Sequence, residues 1–246
     1  MIHFCFGNGN SRKGIDIEQY KKYGTVVGCN AIYRDYTPDI LVSLDSKMSH
    51  EIYRSGYCFE NTTWLGDWTS IPSVVAENML LEQKGIIDFE FKGCPEAVYH
   101  YDNVENTTYI TGTKEDKVQT IEPLINDFAY ATGTRSIYLS CEMGADEVYI
   151  IGHDLYSTND KVNNVYAGTD CYVKEDADYT RPDKSEKDDL HHWIKQHKNT
   201  FDSYKFTKFY KVNPEDESIN VRIKEWEDCE NLEYITLKEL DEKFKV

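Results

Sequence analysis

Four of the seven histidines are the side chains best placed in this sequence to take a proton from a hydroxyl. His191, His192 and His197 lie together in the segment HHWIKQHKNTFD, and His153 follows a glycine in GHDLY. Imidazole titrates close to neutral pH, so it is well suited to general base catalysis on alcohols. Histidines on the solvent face of a helix give the same pattern, so a catalytic and a structural interpretation are both open.

A glycine-rich turn, GNGNS at Gly7 to Ser11, directly follows the first apolar run of the chain. We expect positive φ at Gly7 and Gly9, which would let a ligand approach the backbone, and Ser11 as the cap of a following helix. Free N–H groups at the start of a helix favour phosphate. The turn has neither the spacing of a dinucleotide-binding motif nor the lysine of a P-loop. A phosphate site and an ordinary strand-to-helix turn therefore remain alternatives.

Strands and helices alternate around these residues. The patterns predict a strand at 2–6, a helix through DIEQYKKY, a strand in GTVVGCNAIY, and a third strand, DILVSLD, that ends on Asp45. MSHEIYRSG predicts a helix that stops at Gly56, and GTRSIYLSCEMGA predicts one that ends at Gly144. DEVYIIGHD then predicts a strand, LHHWIKQHKNTFDSYKFTKFY a helix, and the tail LEYITLKELDEKF a strand followed by a helix.

This alternation predicts the α/β class, with a Rossmann-like, mostly parallel sheet, helices on both of its faces, and a mobile lid region. We expect residues 1–246 to form a single nucleotide-binding domain, with an irregular insertion at 58–118 and a polar lid loop at 157–189. Ligands of such sheets bind beyond the carboxyl ends of the strands. The GNGNS turn, Asn30, Asp45 and GHDLY all follow predicted strands, so we expect them to meet in one crevice.

The amino-acid composition disfavours several classes of binding partner. The chain has 27 Lys and Arg against 44 Asp and Glu, and its net charge of −17 disfavours nucleic acid. No apolar run is long enough for an integral membrane segment, and the start MIHFCF lacks the basic region of a signal peptide, so we expect a cytoplasmic protein. Seven widely spaced cysteines predict reduced thiols and no metal site. The sequence is compatible with a homo-oligomer and with a monomer.

Two blocks of the sequence resemble the bacterial sialyltransferase family, glycosyltransferase family 42, and the related flagellin-glycosylation and pterin-pyrophosphokinase-like proteins of the same fold. The blocks are GNGNSRKGID…GCNAIY and ATGTRSIYLSCEMGADEVYIIGHDLY. The resemblance implies a CMP-linked sugar as donor and no resident cofactor. It implies that the nucleotide contacts Gly7, Asn8, Gly9, Ser11, Asn30, Thr132, Gly133, Gly152 and Asp154, and the place of Asp45 after the third strand adds that residue to the predicted site. Asp45 departs from the family pattern, in which an asparagine commonly meets the ligand.

The same resemblance implies the catalytic residues. Tyr156, in HDLY, and Tyr166, in NVYAG, would stabilise the departing phosphate, because phenol hydroxyls can do so without a metal. The segment HKNT matches the family's base at His197. His153 is a second candidate for the base, at a position where the family has no histidine.

We therefore expect a metal-independent glycosyltransferase that moves a sugar from a nucleotide-sugar donor to a glycan or another hydroxyl acceptor. One alternative is a magnesium-dependent diphosphotransferase, in which Asp45 and Asp154 would bind the metal. Another is a nucleotide-binding protein without catalytic activity, because fold resemblance alone does not separate these functions.

Overall fold

The computed structural model describes residues 1–45, 48, 51–52, 55–66, 71–72, 97–102, 107–112, 118–121, 130–157, 159–178, 189–215 and 222–246. Its strands are β1 Ile2–Phe6, β2 Thr25–Cys29, β3 Ile40–Ser43, β4 Thr63–Gly66, β5 Ile71–Pro72, β6 Ala97–Asp102, β7 Thr107–Gly112, β8 Val118–Ile121, β9 Glu147–Ile151, β10 Lys208–Asn213 and β11 Leu232–Thr236. Its helices are α1 Tyr57–Glu60, α2 Thr132–Glu142, α3 Asp189–Ser203 and α4 Leu237–Phe244.

Eight strands form one sheet in the order β11-β10-β9-β1-β2-β3-β4-β8, and every neighbouring pair is parallel. The chain builds outward from β1 to β8 and then returns to place β9 on the other side of β1. The predicted α/β, Rossmann-like parallel sheet is confirmed. Strand order reverses between β1 and β9, which is the point where open α/β sheets bind ligands.

Alternating side chains of the central strands pack on opposite faces of the sheet. In β1, Phe4 and Phe6 join one apolar cluster and Cys5 joins the other. Helices α2 and α3 contribute to the cluster around Cys5, whereas α4 and the 3-10 turns Ile17–Tyr20 and Asn30–Arg34 contribute to the cluster around Phe4. Both faces are therefore buried, which explains why these strands are almost wholly apolar in sequence.

The helix predicted at DIEQYKKY is wrong. The connection from β1 to β2 holds two 3-10 turns, Asn10–Arg12 and Ile17–Tyr20, separated by Gly14 at φ 87°. A left-handed residue breaks the helical path, and Asp16 caps only the short second turn by accepting from Glu18 N. No α-helix starts after GNGNS in this described segment, so the expected helix dipole is absent from the turn.

The later elements agree better with the sequence patterns. Helix α2 ends before Gly144, which has φ 84°, and β9 follows as predicted. The helix predicted to run to Tyr210 ends at Ser203, because Lys208–Asn213 pairs with β9 as β10. The described residues among 48–55 are helical, and Gly56 ends that stretch at φ 79°.

The two irregular regions contain defined pieces. Within 58–118, β4 belongs to the main sheet and β5, β7 and β6 form a separate antiparallel sheet. Residues 157 and 159–178 of the predicted lid are described, whereas 158 and 179–188 lie outside the described residues. Among the helices of the described residues, none has the length and apolar character required to span a membrane.

Candidate functional site

The loops that follow β1 and β9 are bonded to each other at the switch point. Gly7 N donates to Ile151 O at 2.8 Å, and Gly9 N donates to Gly152 O at 2.7 Å. A Cβ at Gly7 would lie 2.5 Å from Gly152 O, and one at Gly9 would lie 2.3 Å from Asp154 Oδ2. The prediction of positive φ at these two glycines is wrong: Gly9 has φ −66°, and Gly7 is not among the residues with positive φ. Gly152, which packs against them, has φ 70°. A side chain at Gly7 or Gly9 would collide with the loop after β9, so both positions require glycine.

Asp154 completes this junction. Its Oδ2 accepts from Ser11 N at 2.8 Å, and its Oδ1 accepts from the Ser11 hydroxyl. The carboxylate is 5 % exposed. Together with Asn10 N, which donates to Asn163 Oδ1 at 2.7 Å, these bonds occupy amides that a phosphate at this turn would need. Ser11 and Asp154 hold the loops together and do not form an open anion cradle.

Asn8 connects the same turn to the predicted lid. Its Nδ2 donates to Cys29 O at 2.9 Å and to the Tyr172 hydroxyl at 3.3 Å. The backbone carbonyl of Asn8 accepts from Val165 N at 2.8 Å. The described part of the lid loop therefore packs directly on GNGNS. Tyr172 is a site neighbour that the sequence did not reveal, because nothing in TDCYV distinguishes it from the other tyrosines.

Arg12 places a positive charge under this loop. The side chain is 3 % exposed, and its guanidinium donates to Asn8 Oδ1 at 3.1 Å. It also lies 5.3 Å from the centre of the Tyr166 ring. Both partners are neutral, so they do not cancel the charge. Nothing in the sequence around Arg12 indicated that it belongs to the site.

Asn30 and Asp45 lie at the carboxyl ends of β2 and β3. Asn30 has φ 50°, an uncommon conformation for a residue other than glycine. Its Nδ2 donates to Asp45 Oδ2 at 3.3 Å, while its Oδ1 is buried and has no partner among the described residues. Asp45 is exposed. This pair offers two acceptors, an amide oxygen and a carboxylate, for N–H or O–H groups of a ligand.

Thr132 and Gly133 form the first turn of α2 beside these loops. The Thr132 hydroxyl accepts from Leu44 N at 3.2 Å, which ties α2 to the end of β3. A Cβ at Gly133 would lie 3.1 Å from His153 Nδ1 and Cε1. Gly133 therefore makes space for an imidazole, although glycine inside a helix costs roughly 0.5–1 kcal/mol relative to alanine.

His197, the predicted base, is a buried residue of α3. It is 2 % exposed and stacks on Trp226 with ring centres 5.4 Å apart. Its Nδ1 lies 2.8 Å from Trp193 O and 2.9 Å from the Thr134 hydroxyl, and its Nε2 lies 3.3 Å from His153 Nδ1. Burial lowers the pKa of His197 to about 4, so the ring is neutral near pH 7. Both ring nitrogens are in use within the protein.

His153 lies in contact with His197 and is also buried, at 6 % exposed. Burial is the main cause that holds its pKa well below the usual range, and the charge of Lys211 lowers it further. Its Nε2 is buried with no hydrogen-bond partner among the described residues. Lys211 is 3 % exposed, donates to Val212 O at 3.1 Å, and has a pKa that burial lowers.

The two predicted tyrosines have different surroundings. Tyr156 is partly buried, and burial followed by the charge of Asp154 raises its pKa, so it remains a neutral phenol. Tyr166 packs in the core at 6 % exposed, and its hydroxyl donates to Asp35 Oδ2 at 2.7 Å. The Tyr166 side chain therefore has a structural role in the core. The side chains of His191 and His192 lie outside the described part of the chain.

The structure brings the glycine turn, Asn30, Asp45 and GHDLY to the carboxyl edge of one sheet, as the order of the strands predicted. It adds the first turn of α2 and His197 beside them. Among the residues that the structure describes, no group of three or more His, Cys, Asp or Glu side chains is arranged to hold a metal ion. Comparisons with protein-family models, curated proteins and solved structures found no match to this chain. The sialyltransferase resemblance therefore stays a prediction that depends on the motifs themselves.

Proposed function

We propose that this protein is a glycosyltransferase that binds a CMP-linked sugar at the switch point between β1 and β9 and transfers the sugar to a hydroxyl acceptor. The observation that carries the proposal is the position of a buried histidine pair directly under the bonded loops of this switch point. Crevices at such points are the usual ligand sites of open α/β sheets. A neutral imidazole there matches the need of an alcohol for a base.

The acceptors at Asn30 and Asp45 suit the nucleoside part of the donor. The unpartnered Asn30 Oδ1 can take a hydrogen bond from the cytosine amino group or from a ribose hydroxyl, and Asp45 can take one from a second hydroxyl. Leaving a buried acceptor unpaired costs about 1–3 kcal/mol. A ligand that supplies the missing donor recovers this free energy, which supports a binding role for Asn30.

Two buried cations suit the phosphate of the donor. The Arg12 guanidinium donates to Asn8 of the glycine turn, its partners there are neutral, and the buried Lys211 ammonium interacts electrostatically with Asp154. The chain as a whole carries a charge of −17, which repels an anionic ligand. The positive charges of Arg12 and Lys211 would act on a bound phosphate at short range, whereas salt screens the negative charge of the more distant residues.

The magnesium-dependent alternative has less support from the geometry. It requires Asp154 as a metal ligand, and both oxygens of Asp154 accept hydrogen bonds from Ser11. Recruiting this carboxylate for a metal would separate the two loops that it joins. We therefore retain the glycosyltransferase as the proposed function.

A thermal-shift comparison of CMP, UDP and ATP, each with and without magnesium, tests the proposal. We expect CMP to raise Tm without metal, since a ligand at about 100 times its Kd adds about 2.7 kcal/mol to folding stability. A shift with ATP only in the presence of magnesium would favour the diphosphotransferase. The absence of any shift with CMP would overturn the proposed function.

The variant Asn30→Gly sharpens the test. Glycine accepts φ 50° and removes the amide, so the protein should fold while its affinity for CMP falls roughly 10-fold, as for one lost hydrogen bond. Lys245→Gly is the matched control, because Lys245 has φ 52° on the exposed end of α4. Unchanged CMP affinity in Asn30→Gly, or an equal loss in Lys245→Gly, would contradict the assignment of Asn30.

A further inference from the structure

The partners of His197 determine which of its nitrogens carries the proton. Trp193 O is a carbonyl oxygen, which only accepts, and it lies 2.8 Å from His197 Nδ1. The proton of His197 is accordingly assigned to Nδ1, which donates to Trp193 O, and the Thr134 hydroxyl 2.9 Å from the same nitrogen then acts as an acceptor. Because the ring is neutral near pH 7, His197 Nε2 carries a lone pair and no proton.

This assignment also determines the state of His153. Its Nδ1 lies 3.3 Å from the lone pair of His197 Nε2, so His153 Nδ1 must be the donor. A neutral imidazole carries one N–H, which leaves His153 Nε2 unprotonated. That nitrogen is buried and has no hydrogen-bond partner within the described part of the chain.

Two glycines flank the unpartnered nitrogen. A Cβ at Gly7 would lie 2.8 Å from His153 Cδ2, and a Cβ at Gly133 would lie 3.1 Å from His153 Cε1. Nε2 is the ring atom bonded to both of these carbons. It therefore sits between the loop after β1 and the first turn of α2, where side chains on either glycine would obstruct the ring.

We propose that His153 Nε2 is the general base for the acceptor hydroxyl, and that His197 is a positioning residue that keeps this nitrogen free of a proton. This inference rests on the proposed function. The acceptor O–H gives its proton to His153 Nε2 while the acceptor oxygen bonds to the anomeric carbon of the sugar. The bond between that carbon and the phosphate oxygen breaks, and its electron pair leaves with CMP. His153 becomes an imidazolium whose Nδ1–H still donates to His197 Nε2.

The charged groups around His153 keep it in the form that accepts a proton. His197 on α3 accepts its Nδ1–H as a neutral ring, and Lys211 on β10 faces it and opposes a positive charge on the ring. Burial acts in the same direction. His153 therefore stays neutral well below the ordinary histidine pKa of about 6.5. On acidification, the reaction rate should therefore begin to fall at a lower pH than it would with an exposed histidine as the base.

Histidine-selective 15N labelling tests the proton arrangement without any substrate, because the 15N chemical shift distinguishes a protonated ring nitrogen from a bare one. We expect both His153 and His197 to carry the proton on Nδ1, with His153 signals identified by their loss in His153→Asn. A proton on His153 Nε2 in the unmodified protein would overturn the arrangement, whatever reaction the protein performs.

A matched pair of variants tests the positioning role of His197. The amide of glutamine reaches the place of His197 Nε2, whereas that of asparagine reaches only the place of Nδ1. His197→Gln should keep the proton on His153 Nδ1, and His197→Asn should release it toward Nε2 and lower kcat with little change in CMP affinity. Identical tautomers of His153 in the two variants would overturn the positioning role.

Hydrolysis of CMP-sialic acid, with water as the acceptor, tests the base itself. His153→Asn retains an amide donor toward His197 and lacks Nε2, so turnover should fall roughly 10²- to 10⁴-fold with CMP binding preserved. Full turnover in this variant would overturn the base assignment. An unmodified protein that fails to bind CMP would overturn the proposed function and the base role together, while the 15N result would still decide the proton arrangement.

Discussion

The burial of His197 predicts a specific acid sensitivity of the fold. Its pKa is about 4 in the folded protein, against about 6.5 for an unfolded histidine. Between these values the unfolded chain binds more protons than the folded one, so stability falls as pH falls through this window. Integration of this difference gives a loss of about 2 kcal/mol for His197 alone between about pH 7 and about pH 5.

Urea unfolding of the unmodified protein and of His197→Gln at both pH values measures this contribution. Glutamine does not titrate, so the variant should lose about 2 kcal/mol less than the unmodified protein on acidification. Its stability at neutral pH can be lower for other reasons without affecting this difference. An equal pH dependence in the two proteins would show that His197 is not a buried neutral imidazole and would refute the reasoning that places its proton.

Two further substitutions separate structural from catalytic roles. Tyr166→Phe removes the hydrogen bond to Asp35, so we expect a loss of about 1 kcal/mol in urea unfolding and no change in hydrolysis of the donor; a large fall in kcat would restore the leaving-group role that the sequence assigned to Tyr166. Gly133→Ala would raise stability by about 0.4–1 kcal/mol at an unobstructed helix position. Because its Cβ would lie 3.1 Å from the His153 ring, we expect a lower Tm instead, and a higher Tm would contradict the close contact.

Local patterns in the sequence predicted the scaffold well. The apolar runs that became β1, β2, β3 and β9 are short and continuous, and Gly144 ends α2 because glycine adopts the left-handed conformation there easily. Parallel strands share one carboxyl edge, so the residues after them had to meet there. These features depend on neighbouring residues, which a sequence displays directly.

The helix predicted after GNGNS failed because periodicity over DIEQYKKY carried no information about the path of the chain. Gly14 at φ 87° turns the backbone, and packing of Ile17 and Tyr20 into the core is satisfied by a 3-10 turn. Tertiary contacts can outweigh a weak helix propensity in so short a segment.

The chemistry of the site was decided by the tertiary structure. Sequence placed His197 as the base from its neighbours in HKNT, but only the fold brings it to within 3.3 Å of His153 and leaves His153 Nε2 unpartnered. Likewise, Gly7 is required because Gly152 lies against it. Residue types and spacing determined which side chains reach the sheet edge. Contacts between distant segments determined which atoms are occupied and which remain available for a substrate.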